Sequence, residues 1–358
     1  MPLSGVAYGL VAGDWKRTAP IVPRAFYDRW ELTLRMRDVR RFWTDVVSGR
    51  FDAAATTYAA QPDWERRAHL LSLARELPVD SSAVEHWIAQ QPGHPLPLTV
   101  KGLHAVGQAW HARSAAPAEH LPVERLEAFH RHLRVAEEFL TAAAKADSSS
   151  PVPWMGLLDS GMGLQISLRE YEYRMEQMAT RFPLYSGFSS YLQFVSDRWF
   201  GSHEQMWEFA DSVNEAASVG SPLHAVQAEA SIERFLSRGN MIVPRRALVA
   251  EGRLDPLLRA ADRSVLHSSF DPDSPAGVRA LSSFVVAFER YGCRRLNHHL
   301  IPLLRRHWMA DHPARYFRGR FGPTVMWRGL SGRYRAAALL PFRRRGSVAP
   351  TPRVRKFA

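Results

Sequence analysis

The sequence has a single cysteine, Cys293, and no long hydrophobic run. One cysteine cannot form an internal disulfide or a cysteine-rich zinc site, so we interpret Cys293 as a small buried apolar residue. No stretch reaches the roughly 18 consecutive apolar residues that a membrane-spanning helix needs. The apolar stretch 5–12 has no Lys or Arg ahead of it and is followed by Asp14, which disfavours a signal peptide. These absences predict a cytoplasmic protein.

The sequence also lacks the motifs of common enzyme classes. It has no Gly-x-Ser-x-Gly elbow, no phosphate-binding Gly-rich Lys motif and no His-Glu-x-x-His. Glu127 and His130 have the spacing used by di-iron bundles, but the second copy that such a site requires is missing. His298 and His299 are adjacent on a predicted helix and point in different directions. We therefore expect no catalytic residue, metal or cofactor, and we interpret "GMG" at 161–163 as helix termination or close packing.

Acidic residues are missing from one end of the chain. The net charge is +12, but no Asp or Glu follows Asp311, where twelve of the 47 basic residues lie, and the other 35 equal the 35 acidic residues. An Arg-rich, Lys-poor composition is typical of GC-rich coding, which weakens a nucleic-acid interpretation. The segment is either a solvated, partly disordered tail or an anion-binding tail with aromatic side chains that could stack on bases. Its candidate residues for an anionic partner are Arg343, Arg344, Arg345, Arg353 and Arg355.

The chain is rich in helix signals. Two capping boxes, Ser167 with Glu170 and Ser202 with Gln205, lie about 35 positions apart, close to the tetratricopeptide period. One long amphipathic helix before them has its predicted buried positions at three-and-four spacing. These positions are Leu126, Phe129, Leu133, Ala136, Leu140 and Ala143.

Further helix starts are predicted at Asp63, at Ser82 and at Ser221, and no alternating strand pattern is convincing. Such short helices are unstable alone in water, so each must bury its apolar face against neighbours, as stacked hairpins do. The sequence therefore predicts an all-α fold of helical-hairpin repeats, a TPR-like α-solenoid with a basic C-terminal tail. The predicted divisions are an N-terminal helical region (1–115), TPR-like repeats (121–240), C-terminal helices (241–311) and the tail (312–358), with a linker at 114–120.

Two stretches carry a resemblance to a known family. "VAEEFLTAAAKADSSSPVPWMGLL" and "RWFGSHEQMWEFA" resemble a tetratricopeptide-like bacterial domain of unknown function found mainly in high-GC organisms. The likeness covers about residues 121–240, and its most distinctive part is the turn that contains Gly201 and Ser202. The resemblance implies an all-helical, repeat-like fold. It implies no established catalysis and supplies no site residue.

The preferred functional prediction is a non-enzymatic scaffold or adaptor whose concave face binds a protein or peptide. Two alternatives stay open: an enzyme or accessory protein with a cryptic polar pocket inside the helical bundle, and nucleic-acid binding through the tail. Aromatic and Arg side chains dominate protein contacts, which favours a specific set in the repeat region. The predicted partner-binding residues are Tyr171, Tyr173, Arg174, Tyr185, Tyr191 and Arg198.

Overall fold

Regular structure in the described part of the chain is entirely helical. The computed structural model describes residues 37–75, 81–113, 121–236 and 245–305, and no strand occurs in these ranges. The prediction of an all-α fold is confirmed for them. The α-helices are α1 (Arg37–Val47), α2 (Phe51–Ala59), α3 (Trp64–Leu71), α4 (Ser81–Gln90), α5 (Pro95–Arg113), α6 (Val123–Ala146), α7 (Val152–Leu164), α8 (Leu168–Arg181), α9 (Tyr185–Phe194), α10 (His203–Ala216), α11 (Val226–Leu236), α12 (Arg245–Ala250), α13 (Leu254–Arg263), α14 (Pro275–Tyr291) and α15 (Arg294–Arg305).

Side-chain caps begin several of these helices where the sequence predicts them. The Ser167 hydroxyl accepts from the Glu170 amide at 3.2 Å, and the Ser202 hydroxyl accepts from the Gln205 amide at the same distance. Each cap satisfies one of the amides that a helix start leaves without a partner. The predicted start at Ser82 is wrong, because α4 begins at Ser81 and Ser82 lies inside it.

Three consecutive helices pack closely around one leucine. A Cβ added at Gly102 of α5 would lie 2.5 Å from Leu140 Cγ, and one at Gly156 of α7 would lie 2.8 Å from Leu140 Cδ1. A side chain at either position would collide with Leu140 of α6, so glycine at both positions lets Leu140 fit between the helices. The α6 stripe is buried as predicted from Phe129 to Ala143, whereas Leu126 is 39% exposed.

The buried apolar residues form two main clusters that meet at α9. The first runs from Val39 to Val195, and the second runs from Tyr185 to Leu304. Phe188 of α9 packs against both clusters. The predicted domain boundaries are not tested by this arrangement and stay predictions, but both clusters depend on α9.

Many helices pack against their neighbours along the chain, but some contacts join helices that are far apart in sequence. Helix α14 touches α3, and the Arg66 guanidinium of α3 donates at 3.2 Å to the carboxylate of Asp271, which precedes α14 and lies 205 residues further along the sequence. In a linear stack of repeats each unit contacts only its neighbours. The contact between α3 and α14 therefore adds a connection between distant parts of the array.

Several sequence predictions fall on residues that the structure leaves undescribed. The linker at 114–120 and the tail at 312–358, with its five candidate arginines, lie outside the described ranges. Within those ranges, none of the helices combines the length and the apolar character needed to cross a membrane.

Candidate functional site

Three of the six predicted partner-binding residues lie inside the protein. Tyr171 and Tyr185 are fully buried, and Arg174 is 8% exposed. Tyr171 stacks on Phe194 with ring centroids 3.8 Å apart, which makes it a core residue. A partner that docks from outside can reach these three side chains only if helices separate.

Arg174 has a clear structural role. Its guanidinium donates to both carboxylate oxygens of Glu137 at 2.8 and 2.9 Å, to Glu170 at 2.9 Å and to the Leu157 carbonyl at 2.8 Å. These partners lie on α6, α7 and α8 itself, so Arg174 joins three helices. A guanidinium with this many acceptors is held in one position.

The other three predicted residues reach the surface. Tyr173 is 47% exposed and packs edge-on against Trp154. Tyr191 is half-buried, and the Arg198 guanidinium donates to buried Glu233 at 2.9 Å. The partner-binding prediction stays a prediction, and these three residues are its only members that an external partner reaches directly.

The fully buried Tyr185 belongs to a cluster of polar residues that the sequence does not predict. Its backbone amide is the first of α9 and donates to the Glu65 carboxylate of α3 at 2.6 Å. An amide at a helix start lacks an intrahelical acceptor, and the positive end of the helix favours a carboxylate there. Glu65 therefore caps a helix that begins 120 residues later in the sequence.

The phenol of Tyr185 extends this cluster to two more helices. It donates to the Glu229 carboxylate of α11 at 2.7 Å, and the hydroxyl of Ser283 on α14 lies 3.3 Å from the same oxygen. Glu229 is 2% exposed, and burial raises the pKa of its carboxyl group above the usual range. Burial also raises the pKa of the Tyr185 phenol, so this hydroxyl stays a hydrogen-bond donor.

Arg279 of α14 supplies the positive charge beside these groups. Its guanidinium donates to the Ser186 hydroxyl at the start of α9 and lies 5.4 Å from the centroid of the Tyr185 ring. Its charge favours the ionised forms of both Glu65 and Glu229. We call Glu65, His69, Tyr185, Glu229 and Arg279 the polar centre.

His69 follows Glu65 by one helical turn and completes the polar centre. Among the described residues, none forms a hydrogen bond with its buried Nε2 atom. Burial, assisted by the charge of Arg279, lowers the pKa of His69 to about 4, so the imidazole is neutral at neutral pH. Burial raises the pKa of Glu65 to about 7, where a carboxyl group can exchange a proton near neutral pH.

The residues of the polar centre come from four helices spread over most of the described chain. Glu65 and His69, four positions apart on α3, are its only pair with a helical spacing in the sequence. That spacing alone is common on solvated helix faces. The cluster therefore carries no sequence signal strong enough to predict it.

A second unusual surface lies where α5, α6 and α9 end or begin. Val123 is 67% exposed and Leu126 39% on α6, and Phe200, after α9, is 45% exposed. The Trp199 ring lies 6.1 Å from that of Phe200 and 6.0 Å from that of Trp110 on α5, measured between centroids. We call these five residues the apolar edge.

Val123 and Leu126, at the start of α6, lie near the end of α5 because these two helices run in opposite directions. The Arg125 side chain donates to the carbonyls of Ala112 and His111, which places the start of α6 beside the end of α5. Trp110 also packs edge-on against Phe129 of α6, 5.3 Å between centroids. Glu124 and Glu127, both exposed, flank the apolar residues of α6.

Glu127 and His130 lie on α6, and Cys293 lies between α14 and α15. Glu127 is exposed, whereas the His130 ring lies 5.4 Å from that of Phe129. Cys293 is half-buried rather than buried as the sequence predicts, and it packs against the second apolar cluster. The described ranges contain no group of three or more His, Cys, Asp or Glu residues that could hold a metal ion.

Comparison of the chain with protein-family models, with curated proteins and with solved structures gives no match. The resemblance to a tetratricopeptide-like bacterial domain therefore stays a prediction. The polar centre and the apolar edge are defined by the geometry of this chain alone.

Proposed function

We propose that the chain is a non-enzymatic scaffold that binds a segment of another protein at the apolar edge. The observation that carries this proposal is the exposure of Val123, Leu126 and Phe200 beside two tryptophans. Large apolar and aromatic side chains that group together on a surface mark protein interaction sites. The partner of such a surface contributes apolar side chains of its own.

The charges around the apolar edge define the partner further. Glu124 and Glu127 are exposed on α6, whereas Arg125 is occupied by backbone carbonyls of α5. Opposite charges across an interface favour the correct orientation and suppress wrong partners. The proposed partner segment therefore carries Lys or Arg beside its apolar residues.

The proposed architecture is a TPR-like α-solenoid of irregular hairpins. The caps at Ser167 and Ser202, about 35 positions apart, and the packing of α5 on α6 and of α6 on α7 support it. The contact between α3 and α14 makes this solenoid shorter and more closed than a straight rod. Small-angle scattering checks the shape, because a straight rod of these helices gives a larger radius of gyration than a closed array.

Site-specific photo-crosslinking tests the scaffold function. A photoreactive residue placed at Val123 in the full chain is expected to capture one partner in the source cells. Mass spectrometry of the crosslinked peptide should locate apolar residues next to Lys or Arg. Val219 is the matched control, because it is a valine that is 49% exposed and lies outside the apolar edge.

The outcomes separate clearly. Capture from position 123 that is lost when Leu126→Glu is added supports the scaffold. Equal capture from positions 123 and 219, or capture that survives Leu126→Glu, contradicts it. The absence of any crosslinked partner from position 123 also contradicts it.

An enzymatic or ligand-binding role is a second candidate, favoured by one observation. His69 has a buried Nε2 atom without a hydrogen-bond partner among the described residues, next to half-buried Glu65 and Arg279. Acids and bases with shifted pKa values group at functional sites and also in structural networks.

Native mass spectrometry of the purified full chain tests this enzymatic or ligand-binding role. A bound small molecule that Arg279→Met loses and Arg66→Met retains supports it, and the mass of the chain alone contradicts it.

A further inference from the structure

Helices α8 and α10 each present an outward side that is rich in carboxylates. Glutamates recur there at spacings of four and seven, which keeps them on one side of each helix. Helix α10 contains no Lys or Arg, and α9, which lies between α8 and α10 in the sequence, contains no charged residue. We call five exposed residues the acidic face: Glu172 and Glu176 on α8, and Glu204, Glu208 and Glu215 on α10.

A row of aromatic side chains joins the two helices of the acidic face. The Tyr191 ring of α9 lies 4.5 Å from that of Phe209 on α10, and the Phe209 ring lies 6.1 Å from that of Phe188, measured between centroids. Towards α8, the Tyr191 hydroxyl donates to the Glu172 carboxylate at 3.5 Å. All three aromatic residues are half-buried, so part of each side chain reaches the surface.

Most arginines of this region already have acceptors. Arg174 of α8 donates to Glu137 and Glu170, Arg181 donates to the Ser148 carbonyl, and Arg198, between α9 and α10, donates to Glu233. Arg169 at the start of α8 is exposed. One exposed Arg beside five exposed carboxylates leaves this part of the described surface with an excess of negative charge.

We propose that the acidic face, together with Tyr191 and Phe209, binds a basic segment of a partner protein. An Arg of that segment stacks on the exposed part of the Tyr191 ring and donates to the Glu172 carboxylate. Aromatic rings attract cations, and a planar guanidinium also binds a carboxylate through two parallel hydrogen bonds. The acidic face shares no residue with the apolar edge, so this binding does not depend on binding at that edge.

The charge of the acidic face decides the class of partner. Nucleic acids and anionic membranes carry negative charge, which this surface repels. A basic segment fits because opposite charges across an interface speed association and fix its orientation. A free polyamine carries similar positive charge but lacks the planar guanidinium, so competition with spermine distinguishes it from a peptide.

Fluorescence anisotropy of the full chain with two short labelled peptides tests the proposal. One peptide alternates Arg with Ser, and the other alternates Lys with Ser. The Arg peptide is expected to bind about threefold more tightly, because a guanidinium stacks on an aromatic ring better than an ammonium does. Tyr191→Leu keeps an apolar side chain at this position and is expected to remove the preference for Arg.

Charge variants locate the binding surface. The triple variant Glu172→Gln, Glu176→Gln and Glu208→Gln is expected to bind the Arg peptide about eightfold more weakly, because each exposed ion pair changes affinity about twofold. The matched control removes the same charge from exposed positions of α6, with Glu124→Gln, Glu127→Gln and Glu138→Gln. It is expected to change affinity less than about twofold at about 0.1 M salt, which screens charges more than about 10 Å apart.

Four results would overturn the proposal. They are a loss of affinity in the α6 variant as large as that in the variant of the acidic face, a preference for Arg that survives Tyr191→Leu, stronger competition by spermine than by the unlabelled Arg peptide, and the absence of measurable binding to the wild-type chain. A loss confined to the α6 variant would assign the basic segment to the apolar edge instead, so failure of this proposal is distinguishable from failure of the proposed function.

Discussion

The polar centre and the apolar edge both depart from the usual distribution of residues, because the first buries polar groups and the second exposes apolar ones. In the polar centre, two carboxyl groups, a phenol and a guanidinium lie between helices, whereas at the apolar edge large hydrophobic side chains face solvent. Buried polar groups and grouped exposed apolar groups are the informative departures from ordinary burial. The polar centre joins distant helices, and the apolar edge is the surface that we propose binds a partner.

The largest expected effect follows from removing the positive charge of the polar centre. Arg279→Met leaves the Glu65 and Glu229 carboxyl groups without their nearby cation and the Ser186 hydroxyl without its donor. We expect the free energy of unfolding, measured by urea denaturation, to fall by about 3 kcal/mol. Arg66→Met, which breaks the partly exposed ion pairs with Asp63 and Asp271, is the control and should cost under about 1 kcal/mol. Similar losses for both variants would contradict a structural role of the polar centre.

A smaller effect concerns pH. The pKa of Glu65 is raised in the folded state to about 7, so the folded protein holds an extra proton and stability falls as pH rises from about 4.5 to 7. Glu65→Gln keeps an acceptor for the Tyr185 amide and removes the costly charge. We expect this variant to be about 2 kcal/mol more stable than wild type at pH 8 and no more stable at pH 4. The expected gain is smaller than the full pKa shift corresponds to, because Glu65 is only half-buried and water screens its charge.

His69 gives the opposite dependence. Its pKa is lowered in the folded state to about 4, so the unfolded chain binds more protons and stability falls as pH drops from about 6.5 to 4. Between pH 4.5 and 6.5 the two residues offset each other in the wild type. Thermal melts of Glu65→Gln should therefore show a steeper loss of stability below pH 6.5 than the wild type shows. Parallel pH profiles for the two proteins would contradict the opposed shifts.

The smallest effect on stability is expected at the apolar edge. Val123 is 67% exposed, so Val123→Ser should change the free energy of unfolding by less than about 0.5 kcal/mol, whereas Leu126 is 39% exposed and Leu126→Ser should cost about 1 kcal/mol. Leu140→Ala, on the same helix but fully buried, should cost about 3 kcal/mol. A large loss from Leu126→Ser would show that this residue is needed for the fold rather than for a partner.

Local features of the fold are predictable from the sequence because they depend on neighbours along the chain. Ser167 and Ser202 cap helices as their spacing predicts, and the α6 stripe is buried from Phe129 onward. Leu126 follows the same periodicity but is 39% exposed, because it lies in the first turn of α6 beside the end of α5. Helical periodicity identifies one face of a helix and does not tell where its neighbours end.

The polar centre could not be predicted, because its geometry depends on contacts between distant elements. The sequence predicts that Tyr185 binds a partner, since Tyr is common at interfaces, but its phenol is buried against Glu229 of α11. In the sequence, Glu65 is an ordinary acidic residue in the first turn of α3. Its position at the start of α9 depends on how α3 and α9 pack. Such roles follow from the packing of helices that are far apart in sequence.

The most direct measurement is isothermal titration of the crosslinked partner segment, made as a synthetic peptide, against the full chain and two variants. The scaffold proposal predicts at least a tenfold loss of affinity for Leu126→Glu and no change for Glu65→Gln. Equal affinity of the wild type and Leu126→Glu would contradict binding at the apolar edge.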